Sequence, residues 1–106
     1  MTSKAKRNTK KLKFFKKQPY AQTFSSGDFL LPTPKEIREI RKFFSLTQVD
    51  VAKILGASWD LKRGSATVGK WESKVGTAEH RSMPYSAWRL LLLHVGIVEF
   101  EEGEES

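Results

Sequence analysis

Cysteine is absent from this 106-residue sequence, which excludes disulfides, thiolate metal ligands and thiol nucleophiles. Histidine is scarce: His80 and His94 stand far apart in the chain, without the third histidine that a metal site would need. Glycine-rich phosphate loops and the G-x-S-x-G motif are missing, and carboxylates cluster only in the last residues. We therefore expect no metal, no cofactor, no small-molecule substrate and no enzymatic activity.

Long hydrophobic runs are also missing. The most apolar stretch, residues 87–98 ("AWRLLLLHVGIV"), contains Arg89 and His94 and is shorter than the roughly 20 residues of a membrane span. The basic N-terminus is followed by "KLKFFKKQ", in which lysines interrupt any apolar segment of the kind found in signal peptides. We expect a cytoplasmic protein that has no membrane partner.

Charge is distributed unevenly along the chain. Residues 1–27 hold no acidic residue, and residues 99–106 hold no basic one. The net charge of +7 favours a polyanion such as nucleic acid as partner. These differences predict a largely flexible basic arm over residues 1–27, one folded domain over residues 28–98, and a disordered acidic tail over residues 99–106. The basic residues of the arm are Lys4, Lys6, Arg7, Lys10, Lys11, Lys13, Lys16 and Lys17.

Two short helices are predicted in the first half of the domain. Thr33 followed by Pro34 and then Glu36 has the pattern of a helix N-terminus with a capping box, and the helix runs to Phe44. The same cap pattern recurs at Thr47 with Asp50, and Gly56 is a residue type that ends helices.

Two further helices are predicted in the second half. One covers about residues 65–73, with Val68 and Trp71 on its apolar side. The other begins at Pro84, stops at Gly96 and is apolar nearly all round, so we expect it to be buried on two sides. The fold class is all-α, a compact domain of four to five helices, and the last helix is the predicted homodimer contact.

The segments "LTQVDVAKILG" (residues 46–56) and "SATVGKWE" (residues 65–72) resemble the helix-turn-helix of phage repressors, the Cro/C1-type or XRE-like family. The resemblance covers about residues 35–72. It implies a DNA-binding regulator whose second helix of the pair enters the major groove. Residues 80–93 ("HRSMPYSAWRLLLL") have a weaker similarity to small regulators of phages and conjugative elements.

The resemblance assigns roles to single residues. Gln48 matches a glutamine that contacts phosphate, and Arg41 and Glu72 match a buried ion pair, although two unrelated surface charges remain the alternative. The groove-facing positions correspond to Ser65, Ala66, Thr67 and Lys70: Ala66 and Thr67 can meet a thymine methyl, Ser65 a base or phosphate, and Lys70 a guanine or phosphate. Trp71 is assigned to the core.

The sequence departs from the family between Gly56 and Trp71, where it is longer. Either "SWDLKRG" (residues 58–64) forms a bulge before an ordinary recognition helix, or that helix starts near Ser58 with Gly64 inside it, which costs about 1 kcal/mol relative to alanine. We favour the bulge, because Gly64 and Ser65 have the character of a loop followed by an N-cap. The bulge would place Lys62 and Arg63 beside the DNA backbone, and the alternative is a solvated loop without contacts.

The basic arm permits three interpretations. It can follow the minor groove or wrap the duplex, which we favour. It can instead be a solubilising tail, or adhere weakly to an anionic membrane surface through its lysines and phenylalanines.

The sequence as a whole predicts a transcriptional regulator of double-stranded DNA. The preferred hypothesis is a repressor that binds an inverted-repeat operator as a dimer and is associated with the nucleoid when bound. The alternative is an accessory or architectural DNA-binding protein, for instance a conjugation or relaxosome factor, that binds mainly through the arm. RNA binding is a further possibility, although no aromatic RNA-stacking motif is present.

Overall fold

The computed structural model describes the backbone of residues 2–99 and the side chains of residues 9–99. This part of the chain is all-helical, as the sequence predicts, and contains five α-helices. Two 3-10 helices, Pro19–Ala21 and Phe24–Ser26, lie between the first two. The α-helices are α1 (Thr2–Lys17), α2 (Pro34–Phe43), α3 (Gln48–Leu55), α4 (Ala66–Trp71) and α5 (Tyr85–Val95).

The chain divides into two units. The first comprises the residues up to Leu31 together with those from Leu92 onward, and the second comprises Pro32–Leu91. In the first unit the buried apolar side chains are Phe15, Tyr20, Ala21, Leu92 and Ile97. In the second they are Ile37, Ile40, Val51, Ala52, Val68, Trp71, Met83, Trp88 and Leu91. The second unit therefore holds all of α2, α3 and α4 with a core of its own.

The helices of the second unit begin and end at the residues that the sequence marks. Thr33 and Thr47 both form capping boxes, in which the threonine hydroxyl accepts from the backbone N–H three residues on. The carboxylates of Glu36 and Asp50 accept in return from the backbone of the two threonines. Gly56 ends α3 in the left-handed conformation, with φ of 73°. These local hydrogen bonds confirm the predicted bounds of α2 and α3.

The N-terminal segment differs from the prediction. The sequence indicates a largely flexible arm over residues 1–27, whereas the structure has the helix α1 over most of it. Phe15 is fully buried, and the Lys11 ammonium lies 4.7 Å from the centre of the Phe14 ring. Burial of one aromatic side chain anchors a segment whose lysines are good helix formers, which a charge count alone does not reveal. The side chains of Lys4, Lys6 and Arg7 lie outside the described residues.

The last helix is covered more completely by its own chain than the sequence suggests. Trp88, Leu91 and Leu92 are fully buried, and Ile97, just beyond the helix, is 1% exposed. Leu90 is the exposed large apolar residue of α5, at 46%. One apolar side of the helix is therefore covered by the chain itself, whereas the other stays partly exposed, chiefly at Leu90. The acidic tail beyond Glu99 lies outside the described residues.

Among the described residues, no helix combines the length and hydropathy that a membrane crossing requires. The same residues contain no group of three or more histidine and carboxylate side chains placed to hold a metal ion.

Candidate nucleic-acid interface

Helices α3 and α4, the two helices of the predicted helix-turn-helix, pack against each other. The segment between them, residues 56–65, is called here the α3–α4 loop. Ser65 caps α4, since its hydroxyl oxygen accepts from the Val68 backbone N–H at 3.2 Å. Val68 and Trp71 turn into the core, with exposed fractions of 0% and 7%. Helix α4 thus begins after Gly64, so of the two predictions for residues 58–64 the bulge is correct and the longer helix is wrong.

Glu72 ties α4 to α2. The Arg41 guanidinium donates from Nε to Glu72 Oε2 at 2.6 Å and from Nη2 to Oε1 at 2.9 Å. Arg38 adds a bond from its Nη2 to the Glu72 carbonyl at 2.9 Å. Glu72 is 4% exposed, so this is a buried, bidentate ion pair of the kind that the resemblance implies. It fixes the angle at which α4 leaves the core.

Gln48 opens α3 and faces the same carboxylate. Its amide nitrogen donates to Glu72 Oε1 at 3.1 Å. An amide NH₂ carries two hydrogens, and this bond uses one of them. Gln48 therefore orients the end of α4, and its assignment as a phosphate contact depends on the second hydrogen.

The α3–α4 loop is closed by hydrogen bonds within itself. Asp60 and Gly64 exchange two backbone bonds, of 2.8 and 2.9 Å, and the Asp60 carboxylate accepts from the backbone N–H groups of Lys62 and Arg63. These two amide bonds, the Arg63 bond first, lower the pKa of Asp60 from its ordinary 3.8. The loop is consequently an ordered turn, and the cationic side chains of Lys62 and Arg63 are exposed on it.

The predicted groove-facing residues fall into two groups. Ala66 and Lys70 are exposed and Thr67 is partly exposed, so these three form the accessible surface of α4. Ser65 is 3% exposed, and its hydroxyl donates to the Ser58 carbonyl at 2.8 Å while it accepts from Val68. Both the burial and the cap remove the Ser65 hydroxyl from the accessible surface of α4, so this geometry gives the predicted contact of Ser65 with DNA no support.

The arm residues that the structure describes lie on α1, in the first unit. Lys10, Lys13, Lys16 and Lys17 are exposed, whereas Lys11 is half-buried beside Phe14 and Phe15. A helix presents these cations at fixed spacing, which an irregular arm would not.

Two residues near this surface, Arg38 and Leu61, escaped the sequence reasoning, whereas for Trp59 the bulge predicts either packing on the domain or contact with a DNA sugar. Arg38 stands three positions before Arg41 and so shares its face of α2, which is the signal that could have revealed it. Trp59, which the sequence left undecided between packing and DNA contact, lies with its ring 4.6 Å from the Lys53 ammonium, a cation–π contact. Leu61 stands between the turn residues Asp60 and Gly64 and is 92% exposed.

Comparison with known proteins identifies two curated relatives, both Escherichia coli proteins described as transcriptional repressor protein KorC. One is 32% identical over 66 residues, which span 62% of this chain and 68% of the relative. The other is 34% identical over 73 residues, which span 69% of this chain and 76% of the relative. No protein-family model matches the chain, so the resemblance to Cro/C1-type repressors has no support from that comparison. No solved structure matches it either.

Proposed function

The chain belongs to the family of the KorC transcriptional repressors, and we propose that it is a sequence-specific DNA-binding repressor. The observation that carries this proposal is the α3–α4 pair, held at a fixed angle by Glu72 and exposing Ala66, Thr67 and Lys70 on its second helix. Small and cationic side chains on an exposed helix suit the major groove. The net charge of +7 supports a polyanionic partner.

In the proposed complex, α4 enters the major groove and α3 lies across the backbone. Ala66 and Thr67 meet thymine methyl groups, and Lys70 donates to a guanine or to a phosphate. Gln48 uses its second amide hydrogen for a phosphate oxygen, while the first holds Glu72. Lys62 and Arg63 bind phosphates beside the α4 site.

We further propose that a homodimer binds an inverted repeat in the cytoplasm, on nucleoid DNA. Two copies of α4 would then occupy successive major grooves about 34 Å apart. A dimer placed at a promoter would block polymerase and so repress transcription.

Selection of preferred sites from random duplexes by the full chain tests the proposal. We expect a consensus with two-fold symmetry. A reproducible but asymmetric consensus would contradict the dimer and favour the accessory or architectural function, in which the lysines of α1 supply most of the affinity. If no sequence is enriched, the proposed function is wrong.

Lys70→Ala sharpens the same experiment. We expect it to relax the preference at one base position, at a cost of about 1–3 kcal/mol for the preferred base. Lys74→Ala, which removes the same charge from an exposed position beyond α4, is the matched control and should leave the consensus unchanged. An unchanged consensus for Lys70→Ala would remove Lys70 from base recognition.

A further inference from the structure

The α3–α4 loop carries an apolar side chain at its tip. Leu61 is 92% exposed, and among the exposed large apolar residues of the described chain none has a higher value. Single exposed leucines are ordinary on flexible surface loops. This one is held on an ordered turn beside the proposed DNA surface, so it calls for a different explanation.

The turn beneath Leu61 is fixed at both ends. The Ser65 hydroxyl, which caps α4, also donates to the Ser58 carbonyl, and this bond links the base of the loop to the start of α4. Nearer the tip, the backbone pair between Asp60 and Gly64 closes a five-residue turn. The backbone at Leu61 is therefore ordered before binding. Little backbone conformational entropy is lost when Leu61 binds a partner, which favours affinity.

The charges next to Leu61 indicate which partner the tip of the loop binds. Lys62 and Arg63 follow Leu61 directly and are exposed, and the exposed Asp60 carboxylate before Leu61 accepts from their backbone N–H groups. The tip thus offers one apolar contact flanked by two cations, a combination that complements a DNA groove with its phosphates better than an uncharged protein surface.

We propose that Leu61 is a specificity-determining residue that packs against the methyl group of a thymine next to the bases read by α4. Lys62 and Arg63 bind the flanking phosphates and hold Leu61 in the groove. This inference rests on the proposed function and extends it to a base that α4 does not reach.

The position of that thymine can be bounded. Ala66 lies five positions after Leu61 in the chain, so their Cα atoms are at most roughly 18 Å apart. At a rise of about 3.4 Å per base pair, the thymine lies within about five base pairs of the bases at Ala66. Apolar contact with the 5-methyl group is the major-groove feature by which a leucine can distinguish thymine from cytosine.

Uracil substitution tests this contact, because deoxyuridine lacks the 5-methyl group and pairs like thymidine. Each thymine of the selected site is replaced singly, and duplex binding by the full chain is measured. Besides the losses at the thymines that Ala66 and Thr67 contact, we expect a loss of about fourfold at one further position within about five base pairs of the bases at Ala66, as for one methyl group removed from an apolar contact. Leu61→Ala should bind the unmodified site more weakly and should lose its sensitivity to uracil at that same position.

The control is Leu30→Ala, the same truncation at another exposed leucine, 65% exposed and in the first unit. It should keep the full uracil profile. If the wild type binds its site selectively but Leu61→Ala shows the same affinity and the same uracil profile, this inference is wrong and the proposed function stands. A Leu61→Ala variant that sediments as a smaller species and keeps the uracil profile would make Leu61 a contact between copies and would also overturn the inference. Absence of any sequence preference in the wild type would overturn both.

Discussion

At the scale of single residues, Glu72 connects three helices. It ends α4, receives two hydrogen bonds from Arg41 on α2, and receives one from Gln48 on α3. The side chains of Arg41 and Glu72 are 12% and 3% exposed. A buried pair is costly to break from one side, because the remaining charge stays buried without compensation. The orientation of α4, the proposed recognition helix, thus depends on one carboxylate.

We predict that Glu72→Gln lowers the free energy of unfolding by about 3 kcal/mol, since it leaves the Arg41 guanidinium buried beside a neutral group. Urea denaturation followed by tryptophan fluorescence measures the change. Glu79→Gln makes the same substitution at an exposed position and should alter stability by less than about 0.5 kcal/mol. Equal effects of the two substitutions would show that the buried pair contributes nothing particular.

Asp60 gives a second prediction at this scale. The backbone N–H groups of Arg63 and Lys62 bond its carboxylate and lower its pKa from 3.8. Because the pKa in the folded state lies below that in the unfolded state, the stabilisation is complete above the ordinary pKa and is lost as the pH falls through the lowered one. An NMR titration should show the Arg63 amide shifting with a midpoint below 3.8, and Asp60→Asn should abolish that step. A midpoint at or above 3.8 would contradict the two bonds.

At the scale of elements, the α3–α4 loop is the segment in which the sequence is longer than in the Cro/C1-type repressors that it resembles. Gly64 closes it with φ of 77°, and a Cβ at this position would find Val49 Cγ2 4.0 Å away, which is an ordinary contact. Space is therefore available, and the conformation alone requires glycine.

Gly64→Ala should consequently destabilise the protein by about 1 kcal/mol and loosen the tip that carries Leu61, Lys62 and Arg63. Gly76→Ala, on the loop after α4, introduces the same backbone strain at φ of 95° with nothing within 4 Å. The midpoint temperature of thermal unfolding should fall by a similar amount in both variants, whereas DNA affinity should fall only for Gly64→Ala. Equal affinities of the two variants for the selected site would indicate that the loop stays outside the interface.

At the scale of the whole molecule, the contribution of the basic segment to binding can be measured without disturbing the fold. Deleting residues 1–18 would also remove the buried Phe15, so substitution is the cleaner change. We predict that converting Lys10, Lys13, Lys16 and Lys17 to glutamine lowers the slope of log affinity against log salt by up to roughly 0.9 for each lysine that meets a phosphate. Glutamine preserves helix propensity, so α1 should persist.

Circular dichroism checks that the helix remains in that variant. Lys35→Gln with Lys74→Gln is the control for removal of charge from exposed positions of the second unit. If the slope of log affinity against log salt is the same for the α1 variant and the wild type, the lysines of α1 do not contact DNA. Helix α1 would then serve solubility or contact with a membrane surface.

The proposed homodimer gives the last prediction. Ile97, just beyond α5, is buried within the chain, so the proposal depends chiefly on Leu90, the exposed large apolar residue of α5. Leu90→Glu should raise the dimer dissociation constant at least tenfold in sedimentation equilibrium, because it places a charge in an apolar contact. Leu30→Glu, at a more exposed leucine of the first unit, should not. A wild-type chain that stays monomeric at all concentrations and on DNA would refute the dimer.

The sequence by itself determined where α2, α3 and α4 begin, where α3 ends, and the bulge between α3 and α4. Thr33, Thr47 and Ser65 cap helices through partners three residues away, and Gly56 and Gly64 take left-handed conformations on their own account. Such interactions involve residues that are close in the chain, so they can be predicted from the sequence. The Arg41–Glu72 ion pair was predicted from the resemblance to Cro/C1-type repressors, since the sequence pattern alone did not distinguish it from two unrelated surface charges.

Only the tertiary structure decided which of these residues are accessible. In the folded chain Ser65 is buried and its hydroxyl is hydrogen-bonded, and Gln48 donates to Glu72, 24 positions away. The lysine-rich segment forms a helix that contains the buried Phe15. Burial depends on which distant segments pack over a side chain, and that free energy is shared among residues far apart in the chain. Helical and loop segments were therefore predictable from local chemistry, whereas the surface offered to DNA was not.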